Sequence, residues 1–270
     1  MTCIVAQKNL KARKSFGQNF LQDEMVIADI VGAIDPAADQ HLVEIGPGHG
    51  AITQYLLPDC QRIDVIELDR DLVPLLQQKF GHYDQLTIHE ADALAFDYRT
   101  IVTAGVPLRV IGNLPYNITT PLLFHLLAQS ECIADMCFML QLEVVERICA
   151  QPGSKTYGRL SIMMQYQCEA VQLFTVPPEA FVPRPKVDSA IVYLKPLSTW
   201  QGGDMPIEAL NRVVTQAFSQ RRKTISNTLK SIMSLSVLET LNIYFKQRPE
   251  TISVEQYVAI AEAWLAEQKR

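Results

Sequence analysis

The 270 residues predict an open, doubly wound α/β sheet followed by a small helical second domain. Three observations carry that prediction. Short apolar runs alternate with helix-period segments over the first two-thirds of the chain. A glycine-rich turn, Gly46-Pro47-Gly48-His49-Gly50, directly follows the first of those runs. Beyond the linker-like stretch 196–206 the apolar pattern keeps helical period over residues 207–269.

The elements follow in order. Val26, Ile27, Ile30, Val31 and Ile34 recur at helical spacing, so residues 23–34 form a helix. Residues 41–45 are a buried strand ending at Gly46. A helix over 51–57 stops at Pro58, a second strand covers 62–68 and a second helix 71–80. A third strand, 86–89, runs into Glu90-Ala91-Asp92. A fourth strand, 108–112, leads into Asn113-Leu114-Pro115-Tyr116, followed by a helix over 121–128. The fifth strand is 136–142, with a helix from Glu143. Strand–helix alternation implies parallel pairing with right-handed crossovers. The turn 177–188 precedes an alternating strand over 189–194; residues 196–206 read as a linker, and 207–269 as helical throughout. The expected division is a catalytic domain of residues 1–200 and a helical domain of 201–270.

Composition limits the function. Hydrophobic residues at 48% and charged residues at 20% are a globular balance. No apolar stretch is long enough to span a bilayer, and the N-terminal segment lacks the apolar core of a secretory signal, so a cytoplasmic protein is expected. The six cysteines form no Cys-x-x-Cys pair and the five histidines no His-x-x-x-His, so neither a metal nor a disulfide is expected. The net charge of −5 argues against nucleic acid, but the charge is segregated. Lys8, Lys11, Arg13 and Lys14 precede the first acid. Arg212, Arg221, Arg222, Lys223 and Lys230 lie between Glu208 and Glu239 with no acid among them.

The glycine turn lets backbone approach a ligand without a Cβ clash, at the place where α/β sheets bind nucleotides. Glu67 lies about 20 residues on, at a strand end, where a carboxylate accepts both hydroxyls of a ribose. Asp92 ends the next strand, placed to accept from an adenine amino group. NAD and S-adenosylmethionine both remain open at this point. Asn113-Leu114-Pro115-Tyr116 favours the second. An exocyclic amine on a base is a poor nucleophile because its lone pair is delocalised. The Asn113 side-chain oxygen and the Leu114 carbonyl are two acceptors that would hold that lone pair out of the ring. Tyr116 offers a flat face for the base.

Together these motifs resemble the ribosomal RNA adenine N6-dimethyltransferase family, in its small-subunit branch linked to kasugamycin sensitivity. The resemblance covers nearly the whole chain: Gln18-Asn19-Phe20-Leu21, residues 44–50, Glu67, Asp92, residues 113–116, residues 181–189 and Gln220-Arg221-Arg222-Lys223-Thr224. It implies a Rossmann-like sheet dependent on S-adenosylmethionine. The implied reaction places two methyl groups on each of two adjacent adenosines near the 3′ end of 16S rRNA, within an assembling 30S subunit. It further implies that Asn19, Leu21, Gly46, Glu67, Asp92 and Asn113 bind the cofactor. Asn113, Leu114 and Tyr116 activate and hold the base, with Phe181 as a second stacking ring. Arg221, Arg222 and Lys223 meet rRNA. A monomer is expected. The competing readings are the sister enzyme that methylates 23S rRNA, an NAD-dependent oxidoreductase, and a non-catalytic ribosome assembly factor.

Overall fold

The computed structural model describes residues 18–103, 105–197, 205–220, 222–241, 243–244 and 246–268. Cys3, the N-terminal lysines and Arg13, most of the expected linker, and Arg221 lie outside them. In chain order the first elements are β1 (Phe20–Leu21), α1 (Glu24–Ile34), β2 (His41–Ile45), α2 (Thr53–Leu56), β3 (Arg62–Glu67), α3 (Leu72–Phe80), β4 (Leu86–Glu90), β5 (Leu108–Asn113), α4 (Thr119–Leu127) and β6 (Ile133–Gln141). There follow α5 (Leu142–Ile148), α6 (Arg159–Gln165), β7 (Cys168–Val176), β8 (Phe181–Val182), β9 (Ser189–Pro196), α7 (Ile207–Ala217), α8 (Ile225–Leu229), α9 (Leu235–Thr240) and α10 (Val254–Gln268).

Seven strands form one sheet in the order β4-β3-β2-β5-β6-β9-β7. The five from β4 to β6 pair in parallel, as the alternating elements predict. The order reverses beside β2, so β2 and β5 open a crevice at their C-terminal ends, the usual ligand site of such sheets. All five residues of β2 are buried, including His41 and Glu44, because both faces of a central strand are covered. Those two polar side chains have partners: the His41 ring meets the Asp64 carboxylate at 2.6 Å, and Thr53 donates to Glu44 at 2.5 Å. Helix α1 starts where Asp23 accepts from the amides of Met25 and Val26. It buries Ile27, Ile30 and Ile34 in a cluster with Leu42, Leu56, Ile63 and Leu76. Each such side chain contributes roughly 1.5–3 kcal/mol by leaving water.

Two compact units divide the chain: residues up to Leu142 with Leu173–Tyr193, and Glu143–Gln172 with Leu194–Arg270. The expected boundary at 200 follows chain order, whereas compactness gathers α6 with the C-terminal helices. In the second unit the apolar face of α7, Ala209, Leu210, Val213, Val214 and Ala217, is buried, and α7 packs against α6, α8 and α10.

Three expectations are corrected. The run 207–269 is not helical throughout: among the described residues it holds four helices, α7 to α10, with non-helical backbone between them. Thr224 and Ser234 sit in extended backbone before α8 and α9, and Pro249 opens a 3-10 turn before α10. Strand β7 was not expected. It is an edge strand with exposed Glu169 and Thr175, so its sequence lacks a continuous apolar run. Strand β9 does not alternate: Ser189 to Val192 are all buried, because it lies inside the sheet.

Candidate active site

A cavity of about 1360 Å³ opens at the C-terminal ends of β2, β3 and β5. Gly46, Gly48 and Gly50 all hold φ between 60° and 75°, a left-handed conformation that explains three glycines in five residues. A Cβ on Gly112 would lie 2.5 Å from the Ile45 carbonyl, so this glycine lets β5 press against β2 below the crevice.

Two carboxylates stand under the glycine turn. Glu67 is 5% exposed, and its oxygens accept from the amides of Asp69 at 2.8 Å and Gly48 at 3.3 Å. Burial raises its pKa, opposed by those amide bonds. Each oxygen has a second lone pair, so a fixed, ionisable acceptor for a diol remains. Glu44 is more deeply placed. Burial pushes its pKa up to about 7 against the Thr53 hydrogen bond, and the neighbouring Glu67 adds to the rise. Asp92 is exposed at the cavity rim, with one oxygen accepting from the Leu94 amide at 2.9 Å.

The Asn-Leu-Pro-Tyr corner lines the same cavity. Leu114 donates its amide to the Met139 carbonyl at 3.2 Å, which pins the corner to β6. Pro115 has no amide, and its carbonyl accepts from the Ile118 amide and the Thr119 hydroxyl. The Asn113 side-chain nitrogen donates to the Asn19 carbonyl at 3.1 Å. That bond commits the amide's nitrogen and leaves Oδ1 as its acceptor end. Among the described residues, neither Asn113 Oδ1 nor the Leu114 carbonyl takes a hydrogen bond. The Tyr116 phenol meets the Ser189 hydroxyl at 2.9 Å.

Strand β1 brings Asn19 and Leu21 to the cavity. It pairs antiparallel with β8, Leu21 opposite Phe181 and Phe20 opposite Val182. The Phe20 ring lies 4.2 Å from the His49 ring of the glycine turn, and Gln18 donates to Asp69 at 3.0 Å. The segment is a strap across the crevice. The Gln18 and Asp69 contact was not foreseen, because no local pattern links side chains 51 positions apart. Phe181 does not join the cavity lining: it is 2% exposed and packs with Leu21 in the core. Arg222 and Lys223 are exposed on a turn between α7 and α8 rather than on a helix, Lys223 donating its amide to the Gln220 carbonyl.

The residues fit an adenosine carrying a methionine chain. A glycine cradle, a held carboxylate at Glu67 and a rim acid at Asp92 lie in one cavity with the strap. The family model that matches residues 9–266 is ribosomal RNA adenine dimethylase. Ribosomal RNA small subunit methyltransferase A of Saccharophagus degradans is 53% identical over 93% of this chain and 94% of its own. The protein of that name from Nitrosococcus oceani is 52% identical over 96% and 98%. A dimethyladenosine transferase of Plasmodium falciparum superposes with a TM-score of 0.77 at 24% identity, covering 93% of this chain and 97% of its own. A 23S rRNA methyltransferase, ErmE, gives 0.72 at 24%, covering 91% and 99%.

Proposed function

The chain belongs to the ribosomal RNA adenine dimethylase family, and from that premise we propose that it dimethylates N6 of two adjacent adenosines near the 3′ end of 16S rRNA, in the assembling 30S subunit. The observation that carries the chemistry is the pair of acceptors uncommitted among the described residues, Asn113 Oδ1 and the Leu114 carbonyl, at the edge of the cavity that the glycine turn and Glu67 line. S-adenosylmethionine, when bound, would supply an electrophilic methyl group on a sulfonium, its bond to sulfur breaking as the methyl is transferred and the sulfur leaving as a neutral thioether. In this reading Glu67 takes its ribose and Asp92 its adenine. Gly46 would support it from below, while Asn19, Leu21 and Asn113 would hold the methionine end.

The two acceptors take the N–H groups of the target amine and turn its lone pair toward the methyl group. As the nitrogen forms its bond to carbon it becomes positive, and both acceptors then stabilise that charge. An arylammonium is acidic enough to release its proton to water without a strong base. Tyr116 is the platform on which the base stacks. Phe181 packs behind the strap that covers the methionine end, so a stacking role for its ring requires that strap to shift. Arg221, Arg222 and Lys223 dock the helical domain on rRNA. The protein works as a cytoplasmic monomer.

The test is methyl transfer from tritiated S-adenosylmethionine to immature 30S particles and, separately, to 23S rRNA. Label at adenosine N6 of 16S rRNA is expected. Label in 23S rRNA alone would assign the sister reaction, and no label would leave an assembly factor.

A further inference from the structure

The corner fixes the backbone of Tyr116 but not its ring. Two torsions separate the Cα from the phenol, and a free ring would have to be ordered each time a base arrives. The phenol is held at its far end by the Ser189 hydroxyl at 2.9 Å. Ser189 is 1% exposed, and among the described residues its side chain meets no other polar group. Burial raises the phenol's pKa, so the tether joins two neutral hydroxyls.

Both ends of this tether refer to one strand. Leu114 is bonded to Met139 of β6, and the Asp188 carbonyl, just before Ser189, accepts from the amide of Leu142 at 3.0 Å, just after β6. The ring is thus the third side of a triangle whose other two sides are backbone hydrogen bonds. We propose that Ser189 is a positioning residue for the reaction: its hydroxyl fixes the Tyr116 ring in the plane on which the target adenine stacks. This rests on the reading of Tyr116 as the stacking platform. A hydroxyl that merely satisfied a buried phenol would affect melting and leave the chemical step alone.

The experiment compares Ser189→Ala, Ser189→Thr, Tyr116→Phe and the Ala/Phe double variant on particle-bound substrate. It measures the single-turnover rate, the S-adenosylmethionine affinity by calorimetry, the particle affinity and the melting temperature. Ser189→Ala should slow methyl transfer roughly 10-fold, the effect of one lost hydrogen bond. Both affinities should stay at the wild-type value, and Ser189→Thr should restore the rate. Tyr116→Phe keeps the ring and removes the tether, so it should match Ser189→Ala. The double variant should be no slower than either single one, because the two act through one contact. A wild-type rate in Ser189→Ala, or multiplied losses in the double variant, overturns the proposal. Should Ser189→Ala not fold, Tyr116→Phe decides alone, and a wild-type rate there overturns it. Failure of the functional reading is separate: the wild-type protein would then not label adenosine N6 at all.

Discussion

Glu67, Asn113 and Glu44 are each buried or half-buried polar groups whose hydrogen bonds define what they do. Glu67 accepts from two backbone amides at a strand end, and all three residues line the cavity, so water can take over those amides when the side chain is lost and the apolar core is not opened. Glu67→Ala is expected to weaken S-adenosylmethionine binding in calorimetry with little change in apo melting temperature. Asn113→Ala removes one acceptor and the bond to the strap. It should slow single-turnover methylation on the order of 10²-fold while particle binding persists. Glu44 gives a pH prediction. Its folded pKa of about 7 lies above the ordinary 4.5, so the folded protein binds more protons in that window. Stability from this group therefore falls as pH rises from about 4.5 to about 7, and Glu44→Gln should flatten that fall. Melting curves of the two apo proteins across that range check it.

The strands hold a tie of their own. The Asp64 carboxylate of β3 meets the His41 ring of β2 and the His89 ring of β4, each at 2.6 Å, with Arg62 at 3.3 Å. Although burial opposes it, the hydrogen bonds and charges of the two histidines hold the Asp64 pKa well below the usual carboxylate range. A depressed pKa stabilises the fold above the unfolded value, near 3.9, and the contribution is lost as pH falls through the folded value. Asp64→Asn should therefore show a shallower loss of stability on acidification below about pH 4, measured by denaturant titration at each pH. The elements themselves were largely legible. Residues 41–45 match β2, and the predicted helices α1 and α3 differ from the structure by a residue at one end, because apolar period and, for α1, the Asp23 cap are local signals. The site was legible where one turn carries it, as in Gly46 to Gly50 and Asn113 to Tyr116. It was not legible where distant segments meet. Nothing local in Phe20-Leu21 says that it pairs with Phe181-Val182, and a two-residue strand has no period to read.

At the scale of the whole molecule the segregated charge has a measurable effect. Arg222 and Lys223 are exposed on a turn without nearby acids in sequence, in a chain of net charge −5. Each phosphate they neutralise releases condensed counterions, so particle binding should weaken with salt in proportion to the contacts made. Changing Arg221, Arg222 and Lys223 to Ala should weaken 30S binding and flatten its dependence on salt, leaving S-adenosylmethionine affinity unaltered. An unchanged salt slope would reduce the cluster to a solvated turn. The strap has a consequence of another kind, in time rather than space. Its β1 residues leave the translating ribosome first, yet their β8 partners follow about 160 residues later. At roughly 5–20 residues per second that is a delay on the order of ten seconds. Through that interval β2 to β6 emerge and can assemble, but the pairing that places Asn19 against Asn113 has no partner strand. A nascent chain arrested before Phe181 should thus fold its parallel strands and still lack a closed cofactor site, so that site closes only after Phe181 and Val182 have emerged.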